Sequence, residues 1–406
     1  MSNVVVIGAG PAGMMAAITA AKNGNNVVVV EKNGTPGKKL LITGKGRCNL
    51  TNSCDINGFI ANTPVNGRFL YSVLKNFSNT DLMDFFENRG VKLKEERGGR
   101  IFPVSDKASD ILNALVAAMK SQNVKIVQGR ASGIVTIGGE VTGVRLDNNA
   151  LLKCEKAIIA TGGKSYPLTG STGDGYALAS SLGHEIVTPK PSLVPLETVE
   201  KNVLSLQGLS LRNIGLKVFD GKSGKLLYDD FGELLFTHFG VSGPVILSAS
   251  AFVRNITGCR LEIDLKPALS EEKLEERIKR DFEMYSNKNF VNALVDLLPS
   301  KMIPVIADYC GIEHEKKINQ ITREDRRRLT EALKHFALTV KCPRPITEAI
   351  ITSGGVNTKQ INPSTMESKL VKGLFFAGEV IDVDAYTGGF NLQIAFSTGY
   401  TAGMNV

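Results

Sequence analysis

The chain of 406 residues has no Trp, four His and six Cys. The cysteines (Cys48, Cys54, Cys154, Cys259, Cys310, Cys342) contain no C-x-x-C pair, which excludes a zinc ribbon and gives no disulfide framework. No metal site is expected, and the thiols fit a reducing cytoplasm. No run of about 18 apolar residues occurs, and the N-terminus Met1-Ser2-Asn3-Val4 carries no basic leader segment. A soluble, unexported, cytoplasmic protein without membrane contact is expected. Charge of one sign is also scarce: 48 Lys and Arg against 40 Asp and Glu leave +8, which allows an anionic partner without demanding one. What the chain does have is a globular balance, 43% apolar and 22% charged, and 41 Gly, above the usual share of about 7%. At roughly 150 residues per domain, two or three domains are expected.

All of the positive excess lies in residues 1–190, with residues 191–342 and 343–406 near neutral. Along the chain, Val4 to Ile7, the segment Met14 to Asn23 and the run Val27 to Val30 read as strand, helix and strand, a βαβ unit. Residues 32–70 read as loops, and 80–89 and 106–122 as amphipathic helices. Strands at roughly 124–137, 141–147 and 151–154 read as a three-stranded crossover before a buried strand, Lys156 to Thr161. After Pro189, Pro191 and Pro195 the texture becomes alternating strands at 213–219, 225–228 and 260–265, a β-type insertion. Residues 270–336 are helical in pattern, with cap-like starts at Ser270 and Thr322, and Pro343 and Pro345 close the excursion. A strand, Leu374 to Ala377, and a helix from about Gly388 to Met404 return to α/β texture.

Gly8-x-Gly10-x-x-Gly13, with Pro11 and Ala12 inside it, follows the first strand and opens the first helix; Glu31 ends the second strand. That context turns a weak motif into a dinucleotide fingerprint. Gly8 permits the turn, Gly10 admits a pyrophosphate at the helix N-terminus, Gly13 allows close packing, and Glu31 accepts from an adenosine ribose while repelling a 2′-phosphate. Three further segments favour FAD over NAD: Thr161-Gly162-Gly163, Gly378-Glu379 with Asp382, and Gly388-Gly389-Phe390-Asn391-Leu392-Gln393 opening the last helix. A strand followed by Gly and an acid reaches ribityl and pyrophosphate in two-dinucleotide flavoproteins, and a helix N-terminus faces the flavin ring. No second G-x-G-x-x-G unit is present, so NAD(P)H is expected as a transient electron donor without a dedicated domain of the usual kind.

With these residues in place, the chain resembles the RdsA/BaiN/aminoacetone oxidase-like family of NAD(P)/FAD-dependent oxidoreductases. The stretches that carry the resemblance are Gly37 to Asn52, Gly98 to Ser105, Thr169 to Gly175, Gly232 to Pro244 and Gly378 to Gln393. It implies an α/β fold in which a split, two-dinucleotide-type FAD-binding Rossmann-like domain (1–190 and 343–406) is interrupted by an insert. The insert has a β-barrel part (191–269 and 337–342) and a helical part (270–336). It further implies reduction of uridine to dihydrouridine in 23S ribosomal RNA, reduction of a conjugated steroid- or bile-acid-like enone, or oxidation of a small amine such as aminoacetone. In the first two, reduced flavin gives hydride to the β carbon of an unsaturated carbonyl and an acid protonates the α carbon.

Beyond the fingerprint, Lys32, Lys38, Lys39, Lys45 and Arg47 crowd a segment with no acid after Glu31, interleaved with Gly44 and running into Asn49. This loop reads as a contact to FAD pyrophosphate, a contact to RNA phosphate, or a solvated basic loop. Lys32, Lys39, Gly44, Arg47 and Asn49 are carried as cofactor-binding candidates. Cys48 beside Arg47 is a candidate acid, since a neighbouring cation lowers a thiol's pKa, or else a buried core thiol. His238, in a turn where Ser242 can cap a helix beginning at Gly243 and Pro244, is a candidate acid or a structural hydrogen-bonding group. Tyr386 stacks on or protonates a substrate, or lines a pocket. Arg100 and Lys107 flank a possible phosphate contact, and the acids of helix 322–336 make it a solvated face ahead of an RNA reader. Uridine in ribosomal RNA is the first substrate expected, a small enone the second, an amine the third. A non-catalytic, flavin-containing RNA-binding protein is the reading from another class. The sequence leaves the oligomeric state open.

Overall fold

The computed structural model describes residues 1–406. Its contacts divide into two compact units, Met1–Ser192 with Ile346–Val406, and Leu193–Pro345. The first is built on five parallel strands in the order Leu374–Phe376, Lys156–Ile159, Asn3–Ile7, Asn26–Glu31, Lys125–Gln128. The runs Val4 to Ile7 and Val27 to Val30 are almost wholly buried, as strands covered on both faces must be. From the first strand, Asn26–Glu31 and then Lys125–Gln128 add on one side, while Lys156–Ile159 and Leu374–Phe376 add on the other. The switch point therefore lies where Gly8 and Ala160 end adjacent strands, the place where open α/β sheets bind ligands.

Two helices fix that crevice. The first helix, Pro11–Lys22, is rich in Ala and Met and nearly all buried. The C-terminal helix, Phe390–Met404, packs along it because Gly399 and Gly403 have no Cβ to strike Ala12 and Ala16. The contacts advance in the same direction on both helices, so the two run roughly parallel. Elsewhere in this unit the segment 124–137 is not one strand. It breaks at Gly129 and Arg130 into Lys125–Gln128, in the parallel sheet, and Ala131–Ile137, in a separate antiparallel sheet with Glu140–Leu146 and Leu151–Lys153. Residues 32–70, read as loops, contain short helices at Lys38–Ile42 and Ile56–Ala61, the second capped by Asp55 on the Gly58 N–H (2.8 Å). Helices of five and six residues are too short to show a 3.6-residue period.

The second unit is a closed six-stranded barrel with helices. Its strands run in the order Leu196–Thr198, Gly240–Ser242, Leu226–Phe236, Ser210–Phe219, Arg260–Asp264, Phe336–Pro343. The second hairpin strand extends to Phe236, well beyond 225–228, because Leu234 and Phe236 point into the barrel core. Helices Glu271–Met284, Met302–Cys310 and Arg323–Lys334 carry an apolar face of Leu274, Ile278, Ile306, Leu329 and Leu333. Thr322 and Asp325 cap the last of these reciprocally. Helix Pro244–Phe252 starts differently from expectation: Gly243, at φ 98°, is its cap residue, and Ser242 does not cap it. A Cβ at 243 would approach the Glu233 carbonyl to 2.7 Å, so the turn closes only with glycine. No helix of the chain is long and apolar enough to cross a membrane.

Candidate functional site

At the switch point the fingerprint glycines separate into two kinds. A Cβ on Gly8 would lie 2.6 Å from the Ala160 carbonyl oxygen, and one on Gly13 would collide with the Gly8 carbonyl, so both are needed to close the turn. Gly10 has an ordinary φ of −80° and nothing within 4 Å of where its Cβ would be. It keeps space open at a helix N-terminus that has no side-chain cap, with Pro11 at the first position, where its missing N–H costs nothing. The Ala12 and Gly13 N–H groups face that space, an anion site in need of an anion. Glu31 is buried beside it. One carboxylate oxygen accepts from Ala9 N (2.8 Å) and keeps a lone pair for a ribose hydroxyl, while the other is filled by the Asn33 backbone and side-chain nitrogens (both 2.8 Å).

The second helix N-terminus lies further along the same crevice. From Gly399, level with Ala12, back to Phe390 is about 13 Å at 1.5 Å per residue. Gly388 and Gly389 lead into it in the left-handed region, and a Cβ on Gly389 would collide with the Thr51 carbonyl. With its amide oriented to satisfy both neighbours, Asn49 accepts from Gly389 N (3.1 Å) and donates to Thr51 O (3.3 Å). Asn391 turns back on the loop, accepting from Ala385 N (3.0 Å) and donating to Ala385 O (2.7 Å), while fully buried Gln393 accepts from Thr51 Oγ1 (2.6 Å). Leu392 is half-buried between them. No side chain caps this helix either, which leaves its first N–H groups and positive dipole end for a ligand.

Between the two helix ends stands a polar cluster that joins the expected Lys39, Glu379 and Asp382 to residues with no sequence signal. Lys39 Nζ donates to Glu379 Oε2 (2.6 Å) and Ser165 Oγ (2.7 Å), and Glu379 Oε1 accepts from Ser165 Oγ (2.9 Å) and Thr352 N (2.8 Å). Gly163 lies against Thr352 and Glu379, and Gly378 donates to Thr398 Oγ1 (2.9 Å). Asp382 accepts from Asn66 Nδ2 (3.0 Å). Beside Gly162, Thr161 Oγ1 is buried without a hydrogen-bond partner, as is the Tyr176 hydroxyl, whose pKa burial pushes upward. Ser165, Thr352 and Asn66 were missed by sequence reasoning, because a lone hydroxyl or amide carries no spacing signal.

The basic loop is largely committed to protein. Lys32 pairs with Asp174 (2.7 Å), which also holds Arg130 (2.8 Å), and Arg47 binds Asp106 and Glu96 while lying 4.2 Å from the centre of the Phe102 ring. Arg100 reaches Glu96 at 3.7 Å. Gly44 and Lys45 both stand in the left-handed region, with Gly44 packed on Phe102 and Asn49 N.

This geometry corrects the reading of Cys48 as an activated acid. The Arg47 guanidinium turns away to its acids, Cys48 is 0% exposed in the core, and burial pushes its thiol up to about 12. His238 is exposed in the second unit, its ring perpendicular to Phe239 at 4.9 Å. Tyr386 is half-buried in the first unit, its N–H on Asn62 O (2.9 Å), two residues before Gly388. The remaining histidines are structural: His184 is buried on Ser368, His314 meets Asp308 and His335 meets Glu262. No group of side chains could hold a metal ion.

An extended ligand with an anionic centre and an electron-rich far end fits this crevice: FAD. The open space at Gly10, two uncapped helix ends in line and the orphaned Thr161 hydroxyl are the observations that say so.

Comparison with known proteins agrees. The HI0933-like protein Rossmann domain family matches residues 2–405. The ribosomal RNA dihydrouridine synthase of Haemophilus influenzae is 32% identical over 415 residues, 100% of this chain and 98% of that protein. The 3-dehydro-bile acid delta(4,6)-reductase of Clostridium scindens is 30% identical over 410 residues, 99% of this chain and 98% of that protein. Among solved structures, the 3-ketosteroid-delta4-(5alpha)-dehydrogenase of Rhodococcus jostii shares the fold at 15% identity, with a TM-score of 0.55, covering 100% of this chain and 96% of that one.

Proposed function

This chain belongs to the HI0933-like family, and from that premise we propose that it is an FAD-dependent reductase of a conjugated C=C bond, with uridine in 23S ribosomal RNA as substrate and NAD(P)H as transient electron donor. The observation that carries the reading is the pair of uncapped helix N-termini, one at each end of the crevice. Two relatives that span this chain nearly end to end, a dihydrouridine synthase and a bile acid reductase, are both named for reductions and support the reaction class. When bound, reduced FAD supplies the hydride that an electron-poor C=C bond accepts at its β carbon.

The chain's own groups supply the rest. Glu31 holds the adenosine ribose, and the Ala12 and Gly13 N–H groups hold the pyrophosphate. The N–H groups of Phe390, Asn391 and Leu392, with the dipole behind them, stabilise negative charge on the ring end. The Lys39–Glu379–Ser165 cluster between them receives ribityl hydroxyls. Protonation of the α carbon, C5 of a uracil, falls to Tyr386 Oη, with His238 as the other candidate; Cys48 is closed off.

A small-molecule enone is the second substrate reading, favoured by the Clostridium scindens relative at equal coverage. The deciding experiment is anaerobic. The bound flavin is reduced by light, and unmodified ribosomal RNA fragments or a conjugated steroid enone are added while the oxidised flavin band is followed. RNA restores the band if uridine is the substrate, the steroid alone restores it if an enone is, and recovery with neither rejects the reductase. Tyr386→Phe slows the recovery by about a hundredfold if Tyr386 is the acid, whereas Cys48→Ser leaves it unchanged.

A further inference from the structure

The barrel unit carries a cavity of about 620 Å³ that the reductase chemistry above does not use. Its lining has an apolar side, Val199, Leu204 and Phe239, and a basic side, Lys201, Lys341 and Arg344, with Thr198 and one carboxylate, Glu197. Pairing across the barrel brings these together: Glu197 lies opposite Gly240 on one side and Cys342 on the other. Glu197 accepts from Arg344 (2.6 Å) and Lys341 (3.3 Å), and these bonds hold its carboxyl below the usual range, so it stays charged. The Arg344 guanidinium lies 4.6 Å from the centre of the Phe239 ring. Lys201 has no carboxylate within ion-pair distance. The neighbouring Glu200 turns both of its oxygens to Thr339 N (2.9 and 3.0 Å) and forms no ion pair with it.

We propose that this cavity is a nucleoside-phosphate site. Its basic side takes the phosphate on Lys201 and Lys341 as point charges. The apolar side, Val199, Leu204 and Phe239, takes the flat face of a base, and the volume is within the range of small-ligand pockets. A purely inorganic anion would leave that apolar side unused. The presence of an anion site stands on the geometry alone; the choice of a nucleotide over other flat anions rests on the reductase reading. Two sources share the chemistry: a phosphodiester with its base in single-stranded RNA, and the phosphates of the nicotinamide donor, for which the chain has no second Rossmann unit.

The test uses the FAD-loaded protein and titration calorimetry with three probes: NADP⁺, a short single-stranded RNA and inorganic phosphate. The variants are Lys201→Glu, Lys201→Ala with Lys341→Ala, and, as a control elsewhere on the barrel, exposed Lys217→Ala. The first two weaken NADP⁺, RNA or both by about tenfold or more, and for RNA the double variant lowers the salt slope by about 1.4, the loss of two phosphate contacts, and Lys201→Glu by at least about 0.7. Lys217→Ala changes neither. Loss for NADP⁺ alone assigns the site to the dinucleotide, and loss for RNA alone assigns it to RNA. Unaltered binding of both in the variants overturns the site, and inorganic phosphate binding as tightly as either nucleotide overturns its nucleoside part. Lys201 and Lys341 are exposed side chains, so circular dichroism separates loss of binding from loss of fold. Failure of the reductase reading appears elsewhere, as a photoreduced flavin that no acceptor reoxidises.

Discussion

Two segments of this chain are dense in cations and are wired in opposite ways. In Lys32 to Arg47, five cations stand without one acid; in Arg323–Lys334, the cations alternate with Glu324, Asp325 and Glu331. In the arginine run of the helix, compensation is local: Arg327 pairs with Glu324 (2.6 Å) and Glu331 (3.2 Å), and Arg328 with Asp325 (2.5 Å), all three or four residues apart, while Lys334 at its end reaches back to Asp264 (2.6 Å). In the loop, the partners are remote. Lys32 reaches an acid 142 residues away, Lys39 one 340 residues away, and Arg47 acids 49 and 59 residues away. Only Lys38 and Lys45 are left without a carboxylate. The Arg327 pairs of the helix decorate a surface, whereas the loop's ion pairs join segments remote in the chain. A sequence without nearby acids is therefore no measure of free positive charge.

If that contrast is real, cutting one loop pair must do more than cutting one helix pair, and the largest effect belongs to Glu379→Ala. It leaves Lys39, Ser165 and Thr352 N without their shared acceptor in a setting where both charged side chains are about four-fifths buried. Breaking such a pair costs about 3 kcal/mol. The midpoint of urea unfolding falls accordingly, and retained FAD, measured from the flavin band after gel filtration, drops more than tenfold. A change no larger than that of a surface pair would break the comparison.

Asp174→Asn comes next, at about 1–2 kcal/mol, because Lys32 keeps Thr172 and Arg130 is exposed. Its pH dependence has a definite sign. Burial pushes the Asp174 carboxyl up, but hydrogen bonds from Arg130 and Lys32 and the nearby Lys32 charge outweigh it and hold the group below its ordinary value. A carboxyl lowered on folding contributes its stability in full above the unfolded value near 3.9 and loses it as the pH falls through the lower folded value. The difference in melting temperature between Asp174→Asn and the parent is constant from about pH 5 to 8 and shrinks below about pH 4.

The sequence disclosed what is encoded by short spacing. Gly8, Gly10 and Gly13 with Glu31, and Gly388-Gly389 before the last helix, each act within one turn or one βαβ unit, and the structure sets them along a single crevice. The family and the Rossmann-plus-barrel architecture were legible for the same reason. What stayed hidden depends on contacts between remote residues. The acidity argument for Cys48 looked only at its neighbour Arg47, whose charge is spent on Glu96 and Asp106. Ser165 and Thr352 join the site only when the strand ends meet, and Gly243 replaced Ser242 as a cap because the barrel brings Glu233 against that turn.

Lys45 sharpens the comparison from the side of function. It is exposed, held at φ 59°, and one of the two loop cations without an acid. If the loop meets RNA, Lys45→Ala lowers the slope of log affinity against log salt by about 0.7, one single-strand phosphate, and leaves the melting temperature in place. Salt titrations of RNA binding at two or more concentrations read this directly. An unchanged slope returns the loop to a purely structural role.

The smallest effect should come from Arg327→Ala, although it removes a side chain that pairs with two acids of its own helix. Arg327 and both of its acids are about three-fifths exposed, so water and salt screen the pairs, and three long side chains lose rotamer freedom to hold them. Pairs so exposed contribute little, and alanine's better helix propensity offsets part of the loss. The melting temperature, FAD retention and RNA affinity stay close to the parent's. A loss near that of Glu379→Ala would mean that the helix is also fastened by charge, and the contrast between local and remote compensation would fall.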